Sequence, residues 1–181
     1  MADERIRQPT VDDADVMGRV HVRAWQAAYR GVMPEEYLDG LRAEDRAGMW
    51  RRQISSAEGA VGLWVVEVDD AVVGFVAFGP ERAPDLLNTP GRGEVYAINL
   101  DPDSWGKGTG RRLLQAATRA LEERGYPELV LWVVPENVRA RALYESEGWT
   151  ADGATKVDNL LGVTVSEVRY VRRVGLVGRR S

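Results

Sequence analysis

The sequence predicts a mixed α/β (α+β) fold, and three stretches carry that prediction. Asn99–Arg112 (NLDPDSWGKGTGRR) reads as the end of a strand, a proline turn, a glycine-rich loop and the start of a helix. Leu129–Val134 (LVLWVV) is an almost unbroken apolar run, which suits a central strand buried on both faces. Leu63–Val68 and Ala71–Phe78, separated by Asp69-Asp70, read as a hairpin with a tight turn. There is no internal repeat and no linker, and 181 residues are enough for one domain, 1–181, with a sizeable core.

Taken in order, residues 4–8 form a short first strand before Pro9. Thr10-Val-Asp-Asp13 is a capping box that opens a helix running to about Ala28. Val16, Met17, Val20, Ala24 and Ala28 mark its buried stripe, with His21 and Trp25 beside it and Tyr29-Arg30-Gly31 at its end. Pro34 opens a short second helix over about 34–41. A third, over about 43–57, is amphipathic, and its arginines read as a solvated face.

Beyond the hairpin, residues 80–92, with Pro80, Pro84, Pro90 and Gly91, read as a loop. Glu94–Leu100 is the strand that feeds the glycine loop. In the helix of 110–124, Leu113, Leu114, Ala117 and Leu121 share one face, and Gly125 supplies the stop. After the apolar strand, Asn137–Glu147 forms a short helix stopped by Gly148. The alternating tail Val163–Val174 completes the sheet through a hairpin from about Trp149.

Composition narrows the function. A net charge of −4 argues against nucleic-acid or membrane-surface partners. The absence of cysteine excludes disulfides, thiolate metal sites and cysteine nucleophiles. With no signal peptide and no apolar run of membrane-spanning length, the expectation is a cytoplasmic protein.

The glycine loop points to an anion. Gly106, Gly108 and Gly110 alternate, so the backbone can approach a ligand closely and adopt positive φ. A helix opening from such a loop aims unpaired N–H groups and the positive end of its dipole at whatever precedes it, which suits phosphate. The stretch is not a P-loop, because Lys107 is followed by Gly108. Nor is it the dinucleotide fingerprint, since neither register places a glycine last.

Trp105-Gly106-Lys107-Gly108-Thr109-Gly110 resembles the pyrophosphate loop Gln/Arg-x-x-Gly-x-Gly/Ala of the GNAT superfamily of acyl-CoA N-acyltransferases, with Trp105 as the departure. A second stretch is similar to the same family. Asn137, Ala140, Leu143, Tyr144 and Gly148 meet its Asn-helix pattern, and Trp149 stands for the usual Phe. The opening Ile6–Ala14 also looks like the start of such a chain, so the resemblance covers nearly the full length. It implies a central, mostly antiparallel twisted sheet of about six to seven strands, splayed in the middle and flanked by helices on both faces. It further implies transfer of an acetyl group from acetyl-CoA to an amine acceptor, with no metal, and is compatible with a homodimer.

Attack on a thioester sets chemical demands. A primary amine is unprotonated in only about one molecule in a thousand at neutral pH. The reaction therefore needs a base for that proton, a polarised carbonyl and an acid for the departing thiolate. By resemblance, Glu94 is the candidate base and Tyr144 the candidate acid. A β-bulge around Tyr96–Leu100 would expose backbone amides to the acyl carbonyl, placing Ile98, Asn99 and Leu100 at the cofactor. Trp105, Gly106, Lys107, Gly108, Thr109, Gly110 and Arg111 would hold the pyrophosphate, Asn137 and Arg141 the cofactor arm, and Trp25 and Tyr29 the acceptor.

Each residue also has a plainer reading. Glu94 is equally a solvated strand-end carboxylate, Tyr144 a core aromatic, Asn137 an N-cap, and Trp25 and Tyr29 core residues. Lys107, Arg111 and Arg112 also read as a solvated helix start, and His21, the only histidine, as an ordinary helix residue. A non-catalytic acyl-CoA-binding protein on the same fold is the alternative function. A phosphate-loop nucleotide hydrolase is disfavoured by the missing Gly-Lys-Ser/Thr.

Overall fold

The computed structural model describes residues 3–56, 61–82, 91–160 and 162–175. The strands are β1 (Glu4–Arg7), β2 (Gly62–Val68), β3 (Ala71–Pro80), β4 (Gly93–Leu100), β5 (Glu128–Val133), β6 (Thr150–Leu160) and β7 (Val163–Arg173). The helices are α1 (Ala14–Tyr29), α2 (Glu35–Asp39), α3 (Ala43–Ser55), α4 (Thr109–Glu123) and α5 (Val138–Ser146). All the predicted elements form, within a residue or two at their ends. Residues 83–90 of the predicted 80–92 loop, with Pro84 and Pro90, and Ala57 at the end of the third helix lie outside the described residues.

The seven strands make one sheet in the order β1-β2-β3-β4-β5-β7-β6. Every neighbouring pair is antiparallel except β4 and β5. That exception follows from the connection, because α4 crosses over between them and returns the chain in the same direction.

Alternation along the strands decides which helices cover which face. Val65 and Phe75 pack with Ala14, Met17 and Val20 of α1 and Trp50 of α3. Their chain neighbours Val66 and Val76 point the opposite way and pack with Leu113, Leu114, Ala117 and Leu121 of α4. The middle of the sheet is thus buried on both sides, which is why β2, β3 and β5 read as nearly continuous apolar runs. Tyr144 of α5 and Trp149 join the α4 side of this core.

The β2–β3 hairpin closes on Asp69 and Asp70, with φ of 49° and 64°. Two successive positive φ values match the twist of the strands they join. Aspartate tolerates that conformation, and here Asp69 also exchanges hydrogen bonds with Asp3: its backbone N–H donates to the Asp3 carbonyl at 2.9 Å, and its side chain accepts from the Asp3 N–H at 3.0 Å. The capping box forms as read, with Asp13 accepting from the Thr10 N–H at 2.6 Å, although it caps a 3-10 turn (Val11–Asp13) that leads into α1.

Two features of β4 build the site. In its ladder with β3, Ala97 faces Ala77 and Val95 faces Phe78, so Tyr96 is an extra residue and β4 carries a bulge there. On its other side β4 pairs with β5 only through Gly93, Glu94 and Val95. Past Val95 the two parallel strands part, and a gap opens in the middle of the sheet.

Close packing across the β3–β4 ladder leaves Gly74 no room for a side chain. A Cβ there would lie 2.5 Å from Leu100 Cδ1 and 2.8 Å from the Asn99 carbonyl oxygen. Gly74→Ala is therefore expected to destabilise the protein by about 1–3 kcal/mol, read as a lower urea midpoint at unchanged slope.

Candidate active site

A cleft of about 660 Å³ occupies the gap between β4 and β5. One wall is β4 from Val95 to Leu100, with the bulge at its start, and the other is Leu131–Val133 of β5. Because the β4–β5 ladder ends at Val95, the backbone of β4 beyond it pairs with no strand of the described residues on that side. Such groups are free to bind a ligand carbonyl or amide.

The glycine loop borders the cleft. Gly106 and Gly108 adopt φ of 75° and 84°, and Gly108 is the N-cap of α4. The first bond inside the helix runs from the Arg112 N–H to the Gly108 carbonyl, at 3.1 Å. The N–H groups of Thr109, Gly110 and Arg111 precede it and have no helical acceptor. Glu4 fastens this turn to β1. Its carboxylate accepts from Thr109 Oγ1 at 3.1 Å and from the Arg112 guanidinium, which holds its pKa below the usual carboxylate value.

Most of the predicted site residues meet in this cleft: Trp25, Tyr29, Ile98, Asn99, Leu100, Trp105, Gly106, Gly108, Gly110, Arg111, Asn137 and Tyr144 all line it. Asn137 also caps α5, with its side-chain oxygen accepting from the Ala140 N–H at 3.2 Å, and hydrogen-bonds the Tyr29 hydroxyl. Tyr144 is buried. Desolvation, then the nearby Tyr29 and Glu167, push its pKa far above the ordinary phenol value, so its hydroxyl stays protonated across the neutral range.

The structure does not bring Glu94, Lys107, Thr109 or Arg141 to the cleft wall. Glu94 is 2% exposed, and both its carboxylate oxygens are held by Arg82: the Arg82 N–H donates to Oε2 at 2.8 Å and its guanidinium to Oε1 at 2.6 Å. It is not solvated, and it is not among the residues that line the cleft. The Lys107 side chain is exposed, and the Thr109 hydroxyl is committed to Glu4. Arg141 donates to the Tyr170 hydroxyl at 2.9 Å and to the Pro135 carbonyl at 3.0 Å, bracing α5 against β7. His21 also lies off the cleft, with its Nδ1 accepting from Trp50 Nε1 at 3.3 Å, and burial lowers its pKa to about 3.

Among the lining residues that the sequence did not single out are Arg139 and Glu167. Arg139 of α5 stacks its guanidinium over the Trp105 ring, 4.6 Å from the centroid, and both line the cleft. The indole is itself fixed by donating from Nε1 to the Leu100 carbonyl at 2.9 Å. Glu167 of β7 lines the cleft at 6% exposure. Strand parity held only a mixed signal for it, since Glu167 falls on the same face as Val163, Val165 and Val171 but also as Arg169. Only the fold puts that row beside Tyr29.

Residues 22–149 match the acetyltransferase (GNAT) family. An uncharacterised N-acetyltransferase of Bacillus subtilis, YuaI, is 28% identical over 133 residues, covering 73% of this chain and 72% of the relative. A mycothiol acetyltransferase of Beutenbergia cavernae is 40% identical over 88 residues, covering 49% of this chain and 28% of the relative. Among solved structures, the PaiA N-acetyltransferase of Thermoplasma acidophilum in complex with coenzyme A is similar, with a TM-score of 0.73 at 19% identity, over 95% of this chain and 99% of that one. The parted β4 and β5, the loop-to-helix anion site and the matched sequence agree: the chain belongs to the GNAT family and is an acyl-CoA-dependent acetyltransferase.

Proposed function

We propose that the protein transfers the acetyl group of acetyl-CoA directly to a primary amine bound in the same cleft. The observation that carries this reading is the continuity of the cleft. It runs from an unpaired helix N-terminus, along the free edge of β4, to a buried tyrosine. A diphosphate, an extended amide-bearing arm and a thioester have matching requirements in that order.

In this reading the pyrophosphate sits on the N–H groups of residues 108–111, with Arg111 beside it. The pantetheine arm lies in the gap, against β4 and Asn137. An N–H of Ile98–Leu100 receives the acyl oxygen as charge builds on it. Tyr144 faces the sulfur as a hydrogen-bond donor. The phenolate left by a phenol of raised pKa is a stronger base than a thiolate, so Tyr144 gives up its proton only as another reaches it. The acceptor nitrogen, acidic once bonded to the acyl carbon, supplies that replacement.

Trp105 departs from the family pattern, and the stacked Arg139 offers an explanation. A Gln or Arg at 105 would present a polar or cationic group to the phosphates. Here an indole forms the wall and positions a guanidinium from α5 instead. The Beutenbergia cavernae mycothiol acetyltransferase is similar over 49% of this chain, but that shared region is only 28% of the relative, too small a part to carry its acceptor across.

Calorimetric titration with acetyl-CoA is expected to show saturable binding that Gly108→Trp abolishes, because a side chain there is strained at φ 84° and fills the phosphate seat. Absence of binding by the unaltered protein would overturn the reading. Arg139→Ala should weaken acetyl-CoA by about tenfold, and Trp105→Arg in that background should recover much of it. No change on Arg139→Ala would remove Arg139 from the site. Tyr144→Phe should lower kcat by roughly 10²-fold with little change in the KM for acetyl-CoA, measured by thiol release.

A further inference from the structure

We propose that Glu167 receives the ammonium group of the acceptor and takes its first proton. The proposal rests on the amine-transfer reading above and assigns the base that this reading lacks. Among the described residues two carboxylates reach the cleft wall, Glu136 and Glu167. Glu136 is exposed at the mouth of the cleft, before α5, whereas Glu167 is almost wholly buried beside the aromatic residues of α1. Glu94 does not line the cleft, and its carboxylate is bound by Arg82.

The surroundings of Glu167 suit a base that must be charged at rest yet ready to accept a proton. Lys156, its partner across the β6–β7 ladder, contacts Oε2 at 3.2 Å and keeps an ionised carboxylate tolerable in a buried place. Lys156 is in turn shared with Asp158 at 2.9 Å and rests 4.7 Å from the centroid of the Trp132 ring. Burial raises the Glu167 pKa, Asp158 adds to the rise, and Lys156 and Arg82 oppose it. From the facing elements, Tyr29 of α1 and Tyr144 of α5 lie close enough for the charge on Glu167 to raise both of their pKa values. The three groups surround one volume, with the ring of Trp25 at its edge. A cation entering there meets one carboxylate, two neutral phenols and an indole. That environment selects a protonated primary alkylamine over an anionic or purely apolar acceptor.

The proton count closes. The bound R–NH3+ gives one proton to the Glu167 carboxylate, and the neutral nitrogen attacks the thioester carbon to form the C–N bond. The C–S bond breaks, and the sulfur takes the Tyr144 proton while the second proton of the nitrogen restores the phenol. Glu167 then loses its proton to solvent. Amide, CoA thiol and one released proton remain.

The test compares unaltered protein, Glu167→Gln, Glu94→Gln and Lys156→Met. Thiol release from acetyl-CoA is followed against pH with an n-alkylamine, an amino-acid ester, a polyamine and an amino sugar. Glu167→Gln should bind acetyl-CoA by calorimetry as the unaltered protein does. Its kcat/KM for the best amine should fall about a hundredfold or more, and the ascending acid limb of the pH profile should vanish. Lys156→Met should move that limb to higher pH, because removing the cation makes Glu167 harder to ionise; a merely structural role would leave the limb in place. Turnover and acid limb preserved in Glu167→Gln would overturn the proposal alone, as would loss of the limb in Glu94→Gln instead. If acetyl-CoA binds but none of the amines accelerates thiol release, the amine-transfer reading itself fails.

Discussion

The parting of β4 and β5 after Val95 is the constraint on which the site depends. Two parallel strands in the middle of a sheet would ordinarily pair along their whole length, and their backbone groups would then be spent on one another. The extra residue at Tyr96 prevents this by bending β4 and strengthening its local twist. The remainder of β4 stays in register with β3, so the strand is anchored on one side and open on the other. A binding groove is thus made from backbone without any loop having to fold into it.

Keeping such a gap open requires rigid flanks. On one face α1 and α3 hold β2 and β3 through Val65 and Phe75, and on the other α4 holds them through Val66 and Val76. On the far side of the gap, β5, β7 and β6 form a second antiparallel block, tied to α5 by the hydrogen bond from Arg141 to the Tyr170 hydroxyl. The Glu4 carboxylate ties the edge strand β1 to the first turn of α4. The free N–H groups of that turn are therefore fixed before any anion arrives, which limits the ordering cost of binding.

Local chemistry was well written in the chain. Glycines at 106 and 108 announced positive φ, the Thr10–Asp13 pair announced a cap, and the Leu113–Leu121 stripe announced a helix with one buried face. These features act within a few residues of themselves, and so they survive in sequence. The side-chain partners did not. Glu94 sits at the expected place on its strand, but strand position says nothing of Arg82, which lies just beyond the end of β3. Arg139 and Arg141 are two residues apart on one helix, and only the neighbours of α5 decide that the first stacks on Trp105 and the second braces Tyr170.

By itself, then, the sequence determined the elements, their order, the mixed sheet and the positive-φ glycine turn that opens α4, because hydrophobic period, turn residues and helix caps are short-range properties. The tertiary structure alone decided which carboxylate is buried in the cleft wall. Glu167 lies in the last strand, beyond the stretch that matches the family, and is 138 positions after Tyr29. Pairing of β7 between β5 and β6 carries it to the gap, and Lys156 on the neighbouring strand pairs with it there. Such a meeting depends on long-range strand order, which no local pattern of residues encodes.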